Sequence, residues 1–340
     1  MTPQTRSLLA LGALVVVGVG GYHLWTVATA PSRMPELPPD DDLEMLATLT
    51  DGGTAGTPDR LAAGSGRLVV ARGTDGTIEV QGVDGGAPTA LGKVGMPVTG
   101  LAVTSDAIWI SAGRSVRRMP LDGGAAVVVD DQLVHPQSLA ADDRSVVVVD
   151  VDPSTQGLLR TSWVVRFSVS APRDGGGPAD FVLLGKYQGD VVSVVLDHGT
   201  AFWADRLEGT VLAAAAGASA PVPLATDRGL PGSVVVVADQ VVWVEQRSES
   251  LWAVPRAGGT PRQLVQDFAG FAHLVAHGRR VAWVNEAAVD GKVRVLEVPL
   301  EGGEVTPVSP AVDAIDGLAS DGERLFWFRD GVVRPVEAGD

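Results

Sequence analysis

The chain has 340 residues, 45% of them apolar, enough to bury a substantial core and to exclude a disordered chain. Lysine and arginine number 26 against 41 aspartates and glutamates, a formal charge of -15 that repels a phosphate backbone and excludes nucleic acid as a ready partner. The absence of cysteine excludes a disulfide frame, a thiolate zinc site and a lipidated N-terminal cysteine.

The first element is apolar. Ser7 to Ala30, SLLALGALVVVGVGGYHLWTVATA, runs without a charge at neutral pH and is long enough to cross the hydrocarbon core as one helix. Residues 1–30 are therefore expected to form a single-pass membrane anchor. The alternative is a cleaved signal peptide, because Ala28 and Ala30 make an A-x-A-like site. Against cleavage stands Pro31, which fixes φ and has no N–H at the position of the new N-terminus. Tyr22 and Trp25 read as interfacial anchors; Arg6 and the amino terminus precede the span, and Glu36, Asp40, Asp41 and Asp42 follow it. That pattern puts the rest of the chain outside the cytoplasm, on the periplasmic side of the cell membrane. Residues 31–43, PSRMPELPPDDDL, form a short, stiff, acidic linker.

The remaining chain, residues 44–340, reads as repeats. Trp109, Trp203, Trp243, Trp283 and Trp327 each sit in a short apolar run, and Val70 and Val148 hold the same place in RLVVA and SVVVVD. The gaps between these seven anchors are 39, 39, 55, 40, 40 and 44 residues. Each unit reads as about four short strands, as in HLVAH, RVAWVN, KVRVLEVPL and VTPVS, and no amphipathic helical period competes. The expected fold is all-β, a seven-bladed β-propeller of four-stranded antiparallel blades behind one N-terminal transmembrane helix. The seventh unit stops where its fourth strand should begin. EMLATLT at 44–50 is an unassigned strand expected to supply it and close the ring. The tryptophans are expected as wedges between blades.

Glycine pairs recur at 85–86, 123–124, 258–259 and 302–303, and two of them complete nearly the same word, RMPLDGG at 118–124 and EVPLEGG at 297–303. The proline is expected near the end of a third strand and the glycines in the tight hairpin to the fourth, where positive φ favours them. A phosphate-binding loop would need a following helix, and none is signalled.

AFWADR, QVVWVEQ, RVAWVNE and RLFWFRD, each followed by a strand, resemble the YWTD (low-density-lipoprotein-receptor class B) propeller group and its bacterial relatives. The family's acid is matched at Asp205 alone, and the family's blade number is six where seven units are counted here. The resemblance implies a binding platform and transfers no catalytic residue.

The spacing from each glycine turn to the next anchor is nearly constant, whereas the spacing from anchor to turn varies, which assigns the extra length to the hairpins between second and third strands. Insertions on one face of a repeat fold mark a binding face. The longest, VDPSTQGLLRTS at 151–162, makes Asp150, Asp152, Leu158, Leu159 and Arg160 the candidate binding residues. Leu158 and Leu159 beside Arg160 have the composition of a contact surface. About ten residues before each anchor lie Arg60, Gly100, Ser138, Ser193, Ser233, His273 and Gly317, the expected mouth of the central channel; Arg60 and His273 are its ionisable members and join the candidate set.

The expected function is a binding or scaffold module for a protein, peptide or envelope ligand, with no cofactor or metal. The alternatives are a lyase or lactonase-like enzyme at the channel mouth and a purely structural envelope component. The channel ring lacks the carboxylates of a calcium site, and His273 and His277, four apart on an extended strand, stand too far apart to share zinc. DVDPSTQG at 150–157 resembles the start of a calcium loop without its later glutamate, and the ring serines lack a G-x-S-x-G elbow.

Overall fold

The computed structural model describes residues 59–154, 160–169, 181–268, 270–286 and 291–336. The expected membrane helix, the linker, the strand at 44–50 and Leu158 and Leu159 lie outside the described residues. Among the described residues no helix is long and apolar enough to cross a membrane.

The described residues form seven antiparallel sheets, six of four strands and one of three, and in each sheet consecutive strands pair. Their inner strands are Arg60–Gly64, Val98–Val103, Pro136–Ala141, Val194–Asp197, Pro231–Val237, Phe271–His277 and Gly317–Ser320. Each stands beside the next, and the last stands beside the first. The fold is a seven-bladed β-propeller, as the repeats predict.

The second strands explain why the sequence signal is strong. Arg67–Ala71, Ala107–Ala112, Ser145–Val151, Thr200–Asp205, Gln240–Glu245, Arg280–Asn285 and Leu325–Arg329 lie between neighbouring blades, so both of their faces are covered. A strand buried on both sides reads as an unbroken apolar run rather than an alternation. Trp203, Trp243 and Trp283 are fully buried, and each packs against the preceding blade. Trp327 does the same at 8% exposure.

Trp109 departs from the series. It packs forward against Val146 and Val148 of blade 3, whereas Ile108 and Ile110 face back towards blade 1. Successive strand residues point to opposite faces, so a one-residue offset reverses the side. Ile110, not Trp109, therefore occupies the position equivalent to the other anchors, and the expected register of blade 2 is corrected by one residue. The same correction places Gly100 ten residues before its anchor, as in every other blade.

The glycine word is punctuation, as expected. The third strands Ser115–Pro120 and Arg294–Pro299 end at the proline, and the glycine pairs follow with φ of 98° and 121° at Gly123 and Gly124, and 87° and 120° at Gly302 and Gly303. Gly123 N–H donates to Pro120 C=O at 3.1 Å and Gly302 N–H to Pro299 C=O at 2.9 Å.

Blade 7 has three described strands, ending with Val332–Pro335. Its seam with blade 1 carries two arginines. Arg72 pairs with Asp59 and Glu79 and donates to Gly331 C=O at 3.3 Å, while its guanidinium lies 5.6 Å from the Phe328 ring centre. Arg324 reaches Asp84 at 2.8 Å and Val83 C=O at 3.3 Å, at the surface.

Candidate binding face

One face of the ring gathers the second-to-third-strand hairpins and the links that enter each inner strand. Backbone bonds tie the two together blade after blade: Val151 N–H to His135 C=O, Arg206 N–H to Asp190 C=O, Gln246 N–H to Leu230 C=O and Glu286 N–H to Gly270 C=O. In blades 3, 4 and 5 the residue two beyond the anchor is an acid whose side chain bonds on this face. Asp150 accepts from Val134 N–H and His135 N–H, at 2.9 and 2.6 Å. Glu245 takes the Arg228 guanidinium at 2.7 Å and the Ser248 hydroxyl at 2.8 Å. Asp205 accepts from Leu207 N–H and Glu208 N–H, both at 3.1 Å. Burial raises the Asp205 carboxyl to about 6, assisted by repulsion from Glu208 and only partly offset by those two N–H groups.

Blade 3 has the longest hairpin on this face among the described strands, nine residues at 152–160 against two in blades 2 and 7. The sequence reading assigned all of the blade's extra length to this hairpin. That is corrected in part, because the connection on the opposite face, 169–180, has twelve residues against six in blades 2, 5 and 6. Asp152 caps its own turn, accepting from Ser154 N–H at 2.9 Å and the Ser154 hydroxyl at 2.6 Å, and these bonds hold its carboxyl below the usual range. Arg160, at the far end, approaches Asp190 in the link to blade 4, with Nη1 3.6 Å from Oδ1. From the next blade Arg206 approaches the other oxygen of the same carboxylate, with Nη1 3.7 Å from Oδ2. Burial pushes the Arg206 guanidinium down, opposed by Asp190.

Asp150 is 4% exposed and turned inward to the backbone, so it shapes the face without presenting itself there. Its carboxyl is raised by burial and lowered in part by the backbone donors.

At the channel mouth the ring positions serve two purposes. The Ser138 and Ser193 hydroxyls accept from Val194 N–H at 3.4 Å and Val234 N–H at 3.2 Å, each stapling an inner strand to the next. Thr99 does the same between blades 2 and 3 by donating to Pro136 C=O at 2.5 Å. Gly100 is required sterically, since a Cβ there would stand 2.5 Å from the Ser111 hydroxyl and 2.9 Å from Leu139 Cβ. Arg60 and His273 are different. His273 sits at a bulge of its strand with φ of 50°, which re-aims its side chain. Its side chain is exposed, yet the protein around it crowds out solvent, and that desolvation, with Arg60 adding to it and Asp316 opposing, pushes the imidazole below its usual value. Arg60 is lowered by burial, and its Nε has no partner. The pair thus shares one electrostatic environment across blade 7, whose ring position is Gly317. Among the described residues no three histidine, aspartate or glutamate side chains converge as metal ligands would.

The sequence reading therefore found Arg160 and Asp150 but missed Asp190, Arg206 and the place that Asp205 and Glu245 share with Asp150. A signal existed: Asp150, Asp205 and Glu245 each follow their anchor by two, and Arg206 follows Trp203 by three. A further shallow polar cavity of about 410 Å³ opens in blade 5 between Gln246, Glu249, Gln263 and Asp267.

No family model matches the sequence, and no curated protein does. Solved structures do match the fold. An oligogalacturonate lyase in complex with manganese is similar with a TM-score of 0.61 at 11% identity, over 82% of this chain and 89% of that one. Virginiamycin B lyase from Staphylococcus aureus is similar with a TM-score of 0.60 at 13% identity, over 82% of this chain and 92% of that one. A chain of a nidogen/laminin complex is also matched, over 60% of this chain and 77% of that one, with a TM-score of 0.47 at 16% identity. The likenesses to the two lyases, at TM-scores of 0.61 and 0.60, support the propeller fold, and at such identities they carry no activity across.

Proposed function

We propose that the chain is a membrane-tethered, extracytoplasmic propeller that captures a protein, peptide or envelope ligand on the face bearing the blade 3 hairpin. The observation that carries this reading is the nine-residue connection between Val151 and Thr161, set on a face where blade 6 has eight residues and the other five blades turn in five or fewer. Repeat folds place binding insertions in this way. The resemblance of AFWADR and its counterparts to YWTD-type propellers supports a platform of the same kind. A purely structural envelope role has no corresponding feature among the described residues.

Replacing residues 153–160 with a short Gly-Ser turn is expected to leave folding intact, because hairpin tips tolerate such changes, and to reduce capture of partners from an envelope extract. A replacement that captures every partner of the parent removes this reading. The channel-mouth enzyme makes the opposite forecast: the swap leaves turnover unchanged, whereas His273→Ala with Arg60→Ala abolishes it.

A further inference from the structure

An arginine cannot shed its proton to escape burial. A buried guanidinium without acceptors therefore marks a place where an acceptor is missing. Arg206 is such a group. Its side chain is 6% exposed, its Nε has no partner, and among the described residues none of its nitrogens has an acceptor within hydrogen-bond distance. The nearest carboxylate oxygen, Oδ2 of Asp190, is 3.7 Å away. Arg160 stands on the other side of that carboxylate at 3.6 Å, also with an unpartnered Nε. A charge-assisted N–H···O contact closes to about 2.7–2.9 Å. Two cations thus share one anion, and neither has closed on it.

The contrast with Arg166 in the same blade is instructive. Arg166 is also buried and its Nε is also without a partner, yet its two terminal nitrogens donate to Ala215 C=O and Ala214 C=O at 2.6 and 2.8 Å. What sets Arg206 apart is that its terminal nitrogens find no such acceptor among the described residues.

The positions of Arg160, Asp190 and Arg206 are set by the backbone rather than by their charges. Gly189 N–H donates to Arg160 C=O at 2.7 Å, the Ser162 hydroxyl to Gly189 C=O at 2.9 Å, and Arg206 N–H to Asp190 C=O at 3.4 Å. The two guanidiniums are therefore presented at a fixed spacing at the mouth of the blade 3 hairpin. Arg160 and Asp190 keep access to solvent, at 27% and 18% exposure.

We propose that Arg160 and Arg206 form a receiving pair for a carboxylate of the captured partner, an acidic side chain or a free C-terminus, with Asp190 as the internal group that the incoming carboxylate displaces. The chemistry is that of the planar guanidinium fork meeting a planar carboxylate. Charge counting favours a monoanion, because Arg160 and Arg206 together exceed Asp190 by one unit. This proposal rests on the reading of the hairpin face as the binding face and specifies its chemistry.

The test uses the full-length protein in detergent, labelled at arginine nitrogen, with sodium acetate as probe at constant ionic strength and inorganic phosphate as the second arm. Acetate is expected to shift the Nε–H resonances of Arg160 and Arg206 saturably, and more tightly than phosphate does. Arg160→Gln and Arg206→Gln should each weaken acetate binding about tenfold or more, and Asp190→Asn should tighten it by removing the competing carboxylate. Should Arg206→Gln fail to fold, Arg206→Lys keeps the charge without the fork and should bind acetate more weakly than the parent. The proposal is overturned if acetate gives no saturable shift, if phosphate binds as tightly, or if Asp190→Asn weakens binding. In the partner assay, capture that is lost with the hairpin swap but kept by Arg206→Gln overturns this proposal and leaves the wider reading standing. A swap that keeps all capture removes the wider reading itself.

Discussion

Arg206, in the second-to-third-strand hairpin of blade 4, and Arg228, in the link that enters blade 5, lie on the same face, and the molecule treats them in opposite ways. Arg228 donates to Glu245 at 2.7 Å and stands over Trp252, 4.1 Å from the ring centre, with Trp243 at 5.7 Å. Every strong feature of that side chain is answered within blade 5. Arg206 is more deeply buried, at 6% against 16%, yet finds its nearest carboxylate beyond hydrogen-bond reach. The difference teaches how to separate structure from function in a repeat protein: an arginine of this face is structural where its charge is satisfied inside the chain and is a candidate receiving group where it is not.

The comparison can be sharpened first at the core beneath Arg228. Trp243→Ala removes a fully buried wedge between blades 4 and 5. A loss of about 4 kcal/mol in denaturant unfolding is expected, and a loss below about 1 kcal/mol would show that the blades relax into the cavity. Next, Arg228→Ala leaves the carboxylate of Glu245, 6% exposed, with the Ser248 hydroxyl as its remaining side-chain partner among the described residues. About 3 kcal/mol should be lost. If Arg228→Ala costs no more than Arg206→Gln measured in parallel, the distinction between the two arginines is broken.

The smallest effect belongs to Asp205. Its folded value of about 6 lies above its ordinary 3.8, so the folded chain holds a proton that the unfolded chain releases between those limits. Its contribution to stability is complete below pH 3.8 and is lost as pH rises through about 6. Asp205→Asn keeps an oxygen for the two N–H donors and no longer ionises. It should therefore be up to about 2 kcal/mol more stable than the parent at pH 7.5, with the advantage vanishing at low pH. An advantage that does not change with pH would show that Asp205 ionises freely in the fold.

The blade count was legible because second strands buried on both faces leave continuous apolar runs, and because positive φ at Gly123 and Gly302 admits few other residues. The register of blade 2 was not legible. Trp109 falls in such a run, and in a doubly buried strand the apolar pattern does not say which face a given side chain takes; only packing against Val146 and Val148 settles it. The receiving pair was half legible. Arg160 was marked by its insertion, but Arg206 lies in the next blade and meets it only because a fourth strand leads into the neighbouring inner strand. The ring positions fall on or beside the inner strands, which the constant spacing encodes, while the stapling by Ser138 and Ser193 depends on hydroxyl geometry that spacing does not encode.

The seam between the first and last blades has a consequence for how the chain is made. Nearly every other contact joins one blade to the next, so blades can assemble in the order of synthesis, each on the one before. The contacts of Arg72 with Gly331 and of Arg324 with Asp84 span 259 and 240 residues. Blade 1 must therefore keep the flank bearing Val70 unburied until the final blade emerges. During that interval the nascent protein exposes an apolar sheet face, and ring closure, rather than the formation of any single blade, is the event that ends its exposure to aggregation.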